Sequence, residues 1–219
     1  VKLLDKNFKG RPGIGYGLTE TNALGTLGSG DEYIDHPSSA GRVVPPLTQI
    51  KIIDKDWNEL PEGNIGEIAI KSQSNMKGYW RNESATKECI NDEGWFKSGD
   101  LGKFDGPFLY ILDRLKDMVI RGGENIACPE VEGVIYEHPD VLEASVFGIP
   151  DERLGELLCT AIYLRDKSNA SEDSIREFLA TKLAAFKIPA VIEFVSEPLP
   201  KLASGKFDKP TLREIFENK

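Results

Sequence analysis

Residues 40 to 75 limit the fold more than any other stretch. "TQIKIID" and "GEIAIKS" alternate apolar and polar positions, and the turn-rich "KDWNELPEGNIG" lies between them. A period of two buries one face of an extended chain and leaves the other in water, whereas a helix would need apolar residues three and four apart. Short alternating runs punctuated by Gly, Pro, Asn and Asp predict antiparallel strands joined by loops, and "GWFKSGDLGKFDGPFLYILDR" continues in that style. The expected first half is a small, barrel-like antiparallel sheet.

The pattern changes after residue 113. Cys128-Pro129 puts proline where a first helical turn tolerates it, and Val131, Val134 and Ile135 recur on one face, which predicts a short helix. "EASVFGI" and "LLCTAIYL" read as apolar strands. Ser171 is placed to cap a longer helix with Glu172 and Asp173 in its first turn and a stripe of Ile175, Phe178, Leu179, Leu183 and Phe186, ended by Pro189. A strand "VIEFV", a proline-bounded loop "EPLPKLASGK" and a terminal helix near "KPTLREIFE" complete the chain. The expected fold class is α+β, with a β-rich region at 1–112 and a compact α+β domain at 113–219.

The 219 residues, 40% of them hydrophobic, suffice for one or two globular domains of ~150 residues each. A formal charge of −9 argues against nucleic acid as a partner. Cys89, Cys128 and Cys159 are odd in number, far apart and without CxxC pairing, which argues against a disulfide framework or a zinc site. No apolar run approaches ~18 residues and no secretory leader is evident, so a cytoplasmic location is expected.

Chemistry enters with "GIGYGLTE", residues 13 to 20. Its glycines suit a sharp turn or a close approach to a ligand, and Thr19 and Glu20 set a hydroxyl beside a carboxylate, a pair suited to a phosphate and its cation. The same run also reads as a plain capped turn. Two familiar phosphate signatures do not fit. Around "SGK" the P-loop spacing finds Pro200 and Phe207 where it needs Gly and Ser/Thr, and the dinucleotide fingerprint finds Leu18 three places after Gly15.

"GYGLTE", "GEIAIKSQSNMKGYW", "GWFKSGDLG", "DRLKDMVIRGGENIACPEVE" and "LPKLASGKFDK", in this order, resemble the closing motifs of adenylate-forming enzymes of the AMP-dependent acyl-CoA synthetase (fatty acid–CoA ligase) type. The resemblance covers essentially the whole chain. It implies activation of a carboxylic acid by ATP to an acyl-adenylate and pyrophosphate, then transfer to the thiol of coenzyme A, by a large N-terminal and a small mobile C-terminal domain. Tyr16 and Gly17 would line the adenine site, and Thr19 would donate to the α-phosphate. Glu20 would hold Mg²⁺, Asp100 would accept the ribose hydroxyls, and Arg114 would add a cationic fork to the nucleotide. Lys206 would be the catalytic residue, stabilising charge on the reacting carboxylate and α-phosphate. Gly122 and Gly123 would flank the CoA channel, and Lys116 would be the hinge.

Singly, each of these residues has an ordinary alternative. Glu20 and Asp100 could be turn acids, the lysines solvated charges, and Arg114 a surface partner of Asp113 or Asp117. Tyr79-Trp80 and Trp95-Phe96 read as core or loop anchors, and His36 and His138 as turn residues. Ser98 stands where threonine is usual before "GD", and Lys209 where relatives often carry arginine. The family's phosphate loop and most of its acid pocket would lie upstream of "GYGLTE". The chain is thus expected to be part of a larger synthetase whose missing N-terminal part it needs, and to be inactive or nearly so alone. The alternatives are a noncatalytic module binding nucleotide, CoA or a protein, and an adenylating enzyme that loads a carrier protein.

Overall fold

The computed structural model describes residues 11–217. They divide between Leu115 and Lys116 into two compact units.

The first unit is built on a seven-stranded sheet: β1 (Gly13–Tyr16), β2 (Thr26–Ser29), β3 (Arg42–Val43), β4 (Thr48–Ile53), β5 (Gly66–Ser72), β6 (Phe96–Asp105) and β7 (Phe108–Arg114). The strand order is β1-β2-β3-β7-β6-β5-β4, with every pairing antiparallel. The two alternating runs lie side by side, Ile50 opposite Ile70 and Ile52 opposite Ile68. Ile52, Ile68, Ile70 and Leu109 form the buried core, which Tyr16, Leu18 and Phe104 partly cover. Burying such a side chain fully stabilises by roughly 1.5–3 kcal/mol. The sheet is open, with β1 and β4 as its two ends, which corrects the expectation of a barrel. Alternation decides which face is buried; it carries no information on whether the end strands meet.

Two short helices accompany this sheet, α1 (Asp31–Asp35) and α2 (Glu83–Cys89). The side chain of Asn82 caps α2 by accepting the Ala85 N–H. The expected aromatic anchors divide. Phe96 is buried, whereas Trp80 is 86% exposed.

The second unit contains β8 (Val119–Arg121), β9 (Glu124–Ile126), β10 (Val141–Asp151), β11 (Gly155–Leu164) and β12 (Val191–Val195), with helices α3 (Cys128–Tyr136), α4 (Glu172–Ala180) and α5 (Lys209–Glu217). The long strand β11 is the centre of its sheet: it pairs antiparallel with β10 and β8, and β12 joins it in parallel. Both faces are covered. Ala144, Val146, Leu158 and Ile162 pack with Val131, Ile135, Ile175 and Leu179 of α3 and α4. The alternate residues Phe147, Cys159 and Ala161 pack with Leu199 and with Leu212 and Phe216 of α5. Burial on both faces explains why these two strands read as near-continuous apolar runs.

Ser171 caps α4 in a reciprocal box with Ser174. This helix ends at Ala180, short of the expected stripe, and Ala185–Lys187 form a separate 3₁₀ turn. Both Lys182 and Leu183 donate to the Leu179 carbonyl, a tightened last turn that closes the helix before Phe186.

Candidate active site

In the first unit two of the sequence-predicted residues, Tyr16 and Arg114, meet a third, the Asp100 carboxylate. Strands β6 and β7 set Asp100 directly opposite Arg114. The Asp100 side chain is only 12% exposed. Its Oδ2 accepts the Tyr16 hydroxyl at 2.7 Å and its Oδ1 accepts Arg114 Nε at 3.2 Å. The buried Ser98 hydroxyl accepts the Asp100 N–H at 3.1 Å, so the serine supplies the oxygen that orients the acid. Burial pushes the Tyr16 hydroxyl well above its usual range, against the opposing Ser98 bond and with added help from Asp100. The phenol therefore stays protonated and remains a donor. Arg114 does not pair with Asp113 or Asp117 through its guanidinium. Asp113 accepts its backbone N–H, and Asp117 pairs with Arg213.

A carboxylate offers about four acceptor positions. Among the described residues two side-chain bonds occupy them here, one on each oxygen.

The "GIGYGLTE" run folds differently from a sharp turn. Gly13 and Gly15 lie in β1, and Gly17 matters for close approach, because a Cβ there would lie 2.3 Å from the Ala23 carbonyl carbon. Thr19–Thr21 then form one 3₁₀ turn. Segment 74–79 holds that turn in place. Ser74 Oγ donates to the Thr21 carbonyl, Met76 N–H to the Glu20 carbonyl, and the Tyr79 hydroxyl to Glu20 Oε1 at 2.9 Å. Burial, reinforced by Glu20, pushes the Tyr79 hydroxyl up to about 12. Sequence reasoning missed Tyr79 as a site residue, although "GEIAIKSQSNMKGYW" contains it.

Among the described residues no group of three or more His, Cys, Asp or Glu forms a metal cage. Glu20 engages Tyr79 through Oε1, and a single carboxylate of this kind suits Mg²⁺ when substrate phosphates supply most of the ligands.

In the second unit the predicted residues lie on turns. Gly122 and Gly123, with φ of +60° and +87°, form the two-residue turn of the β8–β9 hairpin. Positive φ at both positions is the requirement of a type I′ turn, so their local conformation accounts for the glycine pair. A Cβ at Gly123 would meet nothing within 4 Å. Lys116 is exposed and opens the unit.

Lys206 sits in a small hairpin whose root is the bridge between Lys201 and Phe207. Leu202 N–H donates to the Lys206 carbonyl, and Gly205, at φ +81°, donates to Leu202. The Lys206 side chain is exposed, and its ammonium has no hydrogen bond or ion pair among the described residues. Lys209 is different: its ammonium lies 3.0 Å from Glu132 Oε1, with both side chains mostly buried. No disulfide joins Cys89, Cys128 and Cys159 among the described residues.

Two family models match this chain, that of the AMP-binding enzymes over residues 3–80 and that of the AMP-binding enzyme C-terminal domain over residues 130–206. The chain belongs to the AMP-binding enzymes. Within this family it is 41% identical over 203 residues to the long-chain-fatty-acid–CoA ligase FadD13 of Mycobacterium tuberculosis, covering 92% of this chain and 39% of that protein. It is 44% identical over 195 residues to the 2-succinylbenzoate–CoA ligase of Bacillus licheniformis, covering 87% of this chain and 39% of that one. Among solved structures it resembles the o-succinylbenzoate CoA synthetase of Bacillus subtilis in complex with its acyl-adenylate intermediate, with a TM-score of 0.87 and 34% identity over 97% of this chain and 42% of that one. ATP-bound MatB from Rhodopseudomonas palustris gives a TM-score of 0.84 and 35% identity over 93% of this chain and 40% of that one. The chain thus spans about two fifths of the length of these relatives. No helix among the described residues is long and apolar enough to cross a membrane.

Proposed function

We propose that this AMP-binding chain carries part of the catalytic machinery of an ATP-dependent acyl-CoA ligase. The supporting observation is the Asp100 carboxylate, held by Tyr16 and Arg114 through one side-chain bond on each oxygen. That geometry fits two neighbouring ribose hydroxyls. Tyr16 and Gly17 face the adenine, Thr19 donates to the α-phosphate, Arg114 adds positive charge, and Glu20 takes the Mg²⁺ that accompanies ATP.

In the first half-reaction a carboxylate oxygen of the acid attacks the α-phosphorus and pyrophosphate leaves, giving the acyl-adenylate. The Lys206 ammonium, uncommitted among the described residues, neutralises charge that spreads over the phosphoryl and carboxylate oxygens. In the second half-reaction the CoA thiol, as it loses its proton, attacks the acyl carbonyl and AMP leaves. The Gly122-Gly123 turn offers backbone without side chains to the pantetheine arm, and Lys116 serves as the pivot between the two units.

Residues supplied by the remaining length of such a ligase complete the phosphate and acid pockets, so the 219-residue chain alone is inactive or nearly so. The test is acid-dependent ATP–pyrophosphate exchange and acyl-CoA formation by the full-length protein, across short, long and aromatic carboxylic acids. Exchange with none of them would remove the ligase reading, and exchange by the 219-residue chain alone would remove the claim of inactivity.

A further inference from the structure

The hairpin that carries Lys206 has an exposed tip and a tightly held root. Residues 202–206 are all exposed, whereas Leu199, three residues before the tip, is 3% exposed in the core beside Phe147 and Phe216. One carboxylate from outside the loop grips this root. Glu143 of β10, its side chain 17% exposed, accepts the Leu199 N–H at 2.8 Å through Oε2 and pairs with Lys201 Nζ at 2.5 Å through Oε1. Both of its oxygens are spent on the strand leading into the lysine turn. Burial alone would raise the Glu143 carboxyl, but the Lys201 and Leu199 bonds outweigh it and hold the group below its usual range.

On the outgoing side Asp208 N–H donates to the Pro200 carbonyl, and Asp208 caps α5 through Thr211. Lys209 adds its pair with Glu132, which also accepts the Val146 N–H from β10. The tip therefore hangs between two carboxylate clamps, and the one on Glu143, gripping Lys201, is nearer to it along the chain.

Resting on the reading of Lys206 as the adenylating lysine, we infer that Glu143 is a positioning residue. It fixes the height and direction of the Lys206 hairpin without touching substrate. A catalytic group misplaced by about 1 Å can lose ~100-fold in rate. The Leu199–Glu143 and Lys201–Glu143 bonds are the contacts that prevent such a shift at the incoming strand.

The experiment uses the full-length protein with Glu143→Ala, Glu143→Gln, Lys201→Ala and Lys206→Ala. It measures ATP–pyrophosphate exchange, thioester formation from pre-formed acyl-adenylate, and hydrogen exchange at the Leu202, Gly205 and Asp208 amides. Glu143→Ala should lower adenylation ~10- to 100-fold, mainly in kcat, leave the thioester step near its original rate, and speed exchange at the three amides. Glu143→Gln, which can still accept from Leu199, should recover part of the loss, and Lys201→Ala should show a smaller defect of the same kind. Unchanged adenylation and amide exchange in Glu143→Ala would overturn the proposal. So would equal loss of both half-reactions with a lowered melting temperature, because that is the mark of a purely structural residue. If Glu143→Ala does not fold, the glutamine and Lys201 variants carry the same test. Should Lys206→Ala leave adenylation intact, the catalytic reading of Lys206 fails, while the hydrogen-exchange result still decides whether Glu143 holds the hairpin.

Discussion

The surroundings of Asp100 in the first unit and of Lys206 in the second are opposites. Asp100 is nearly buried and each of its oxygens is already engaged, one by a tyrosine and one by an arginine. Lys206 is exposed and its ammonium has no partner among the described residues; order is concentrated in the backbone beneath it. A group that must bind the same neutral hydroxyls throughout a reaction gains from being fixed in advance. A cation that must meet charge only as it develops would be weakened by a resident carboxylate. The difference teaches that one unit is organised around the acceptor atom, and the other around the root of a loop whose tip stays free.

The largest test of that contrast is the root itself. Phe147 is fully buried and meets Phe216 edge-on at 4.8 Å between ring centres, so Phe147→Ala should cost about 3–5 kcal/mol in chemical denaturation of the second unit. A loss below ~1 kcal/mol would mean the root is not the rigid body described here.

Next in size is the tip. Lys206→Ala in the full-length protein should lower adenylation on the order of 100- to 1,000-fold with no change in melting temperature, since nothing in the fold leans on an exposed ammonium. A clear drop in melting temperature would erase the contrast with Asp100.

Asp100→Ala should do both kinds of damage. Without the carboxylate the Tyr16 hydroxyl and Arg114 lose their acceptor, for about 1–3 kcal/mol of stability in the first unit, and KM for ATP should rise as well. A KM effect with no loss of stability would show that Asp100 is less structurally committed than its partners indicate.

Gly123→Ala sharpens the comparison on a smaller scale. At φ +87° an alanine should cost about 1–2 kcal/mol, read as a lowered melting temperature, although a Cβ there meets no atom. Loss of thioester formation beyond that expected from the stability change would assign the turn to the CoA channel.

The smallest effect is in pH. The folded-state carboxyl of Glu143 is depressed, so its contribution is complete above the ordinary carboxylate range and is lost as pH falls through and below it. Acid unfolding of the second unit should therefore begin at a lower pH in the parent than the remaining groups alone would give. In Glu143→Gln the stability should fall less steeply over the same acid interval, and an unchanged slope would detach Glu143 from the root.

Much of this was legible in the amino-acid order. The period of two in "TQIKIID" and "GEIAIKS" located β4 and β5, Ser171 located the start of α4, and the apolar runs located β10 and β11. Such signals are local, and backbone geometry reads them directly. The motifs also marked Asp100, Arg114 and Tyr16 as belonging to one site, though from their order along the chain and not from any contact.

Local pattern could not show that the first sheet stays open, because closure depends on whether β1 and β4 meet. Nor could it show that α4 stops at Ala180, since the apolar spacing runs on while the backbone tightens. Trp80, expected as an anchor, is exposed, because burial is a property of neighbours and not of residue type.

By itself, the sequence determined the element types and the family and nominated the candidate site residues, signals written in spacing along a few tens of residues. Tertiary structure alone decided which partners those side chains have. Tyr16 meets Asp100 across 84 positions, and Glu143 meets Lys201 across 58, contacts made only when distant strands and loops pack together.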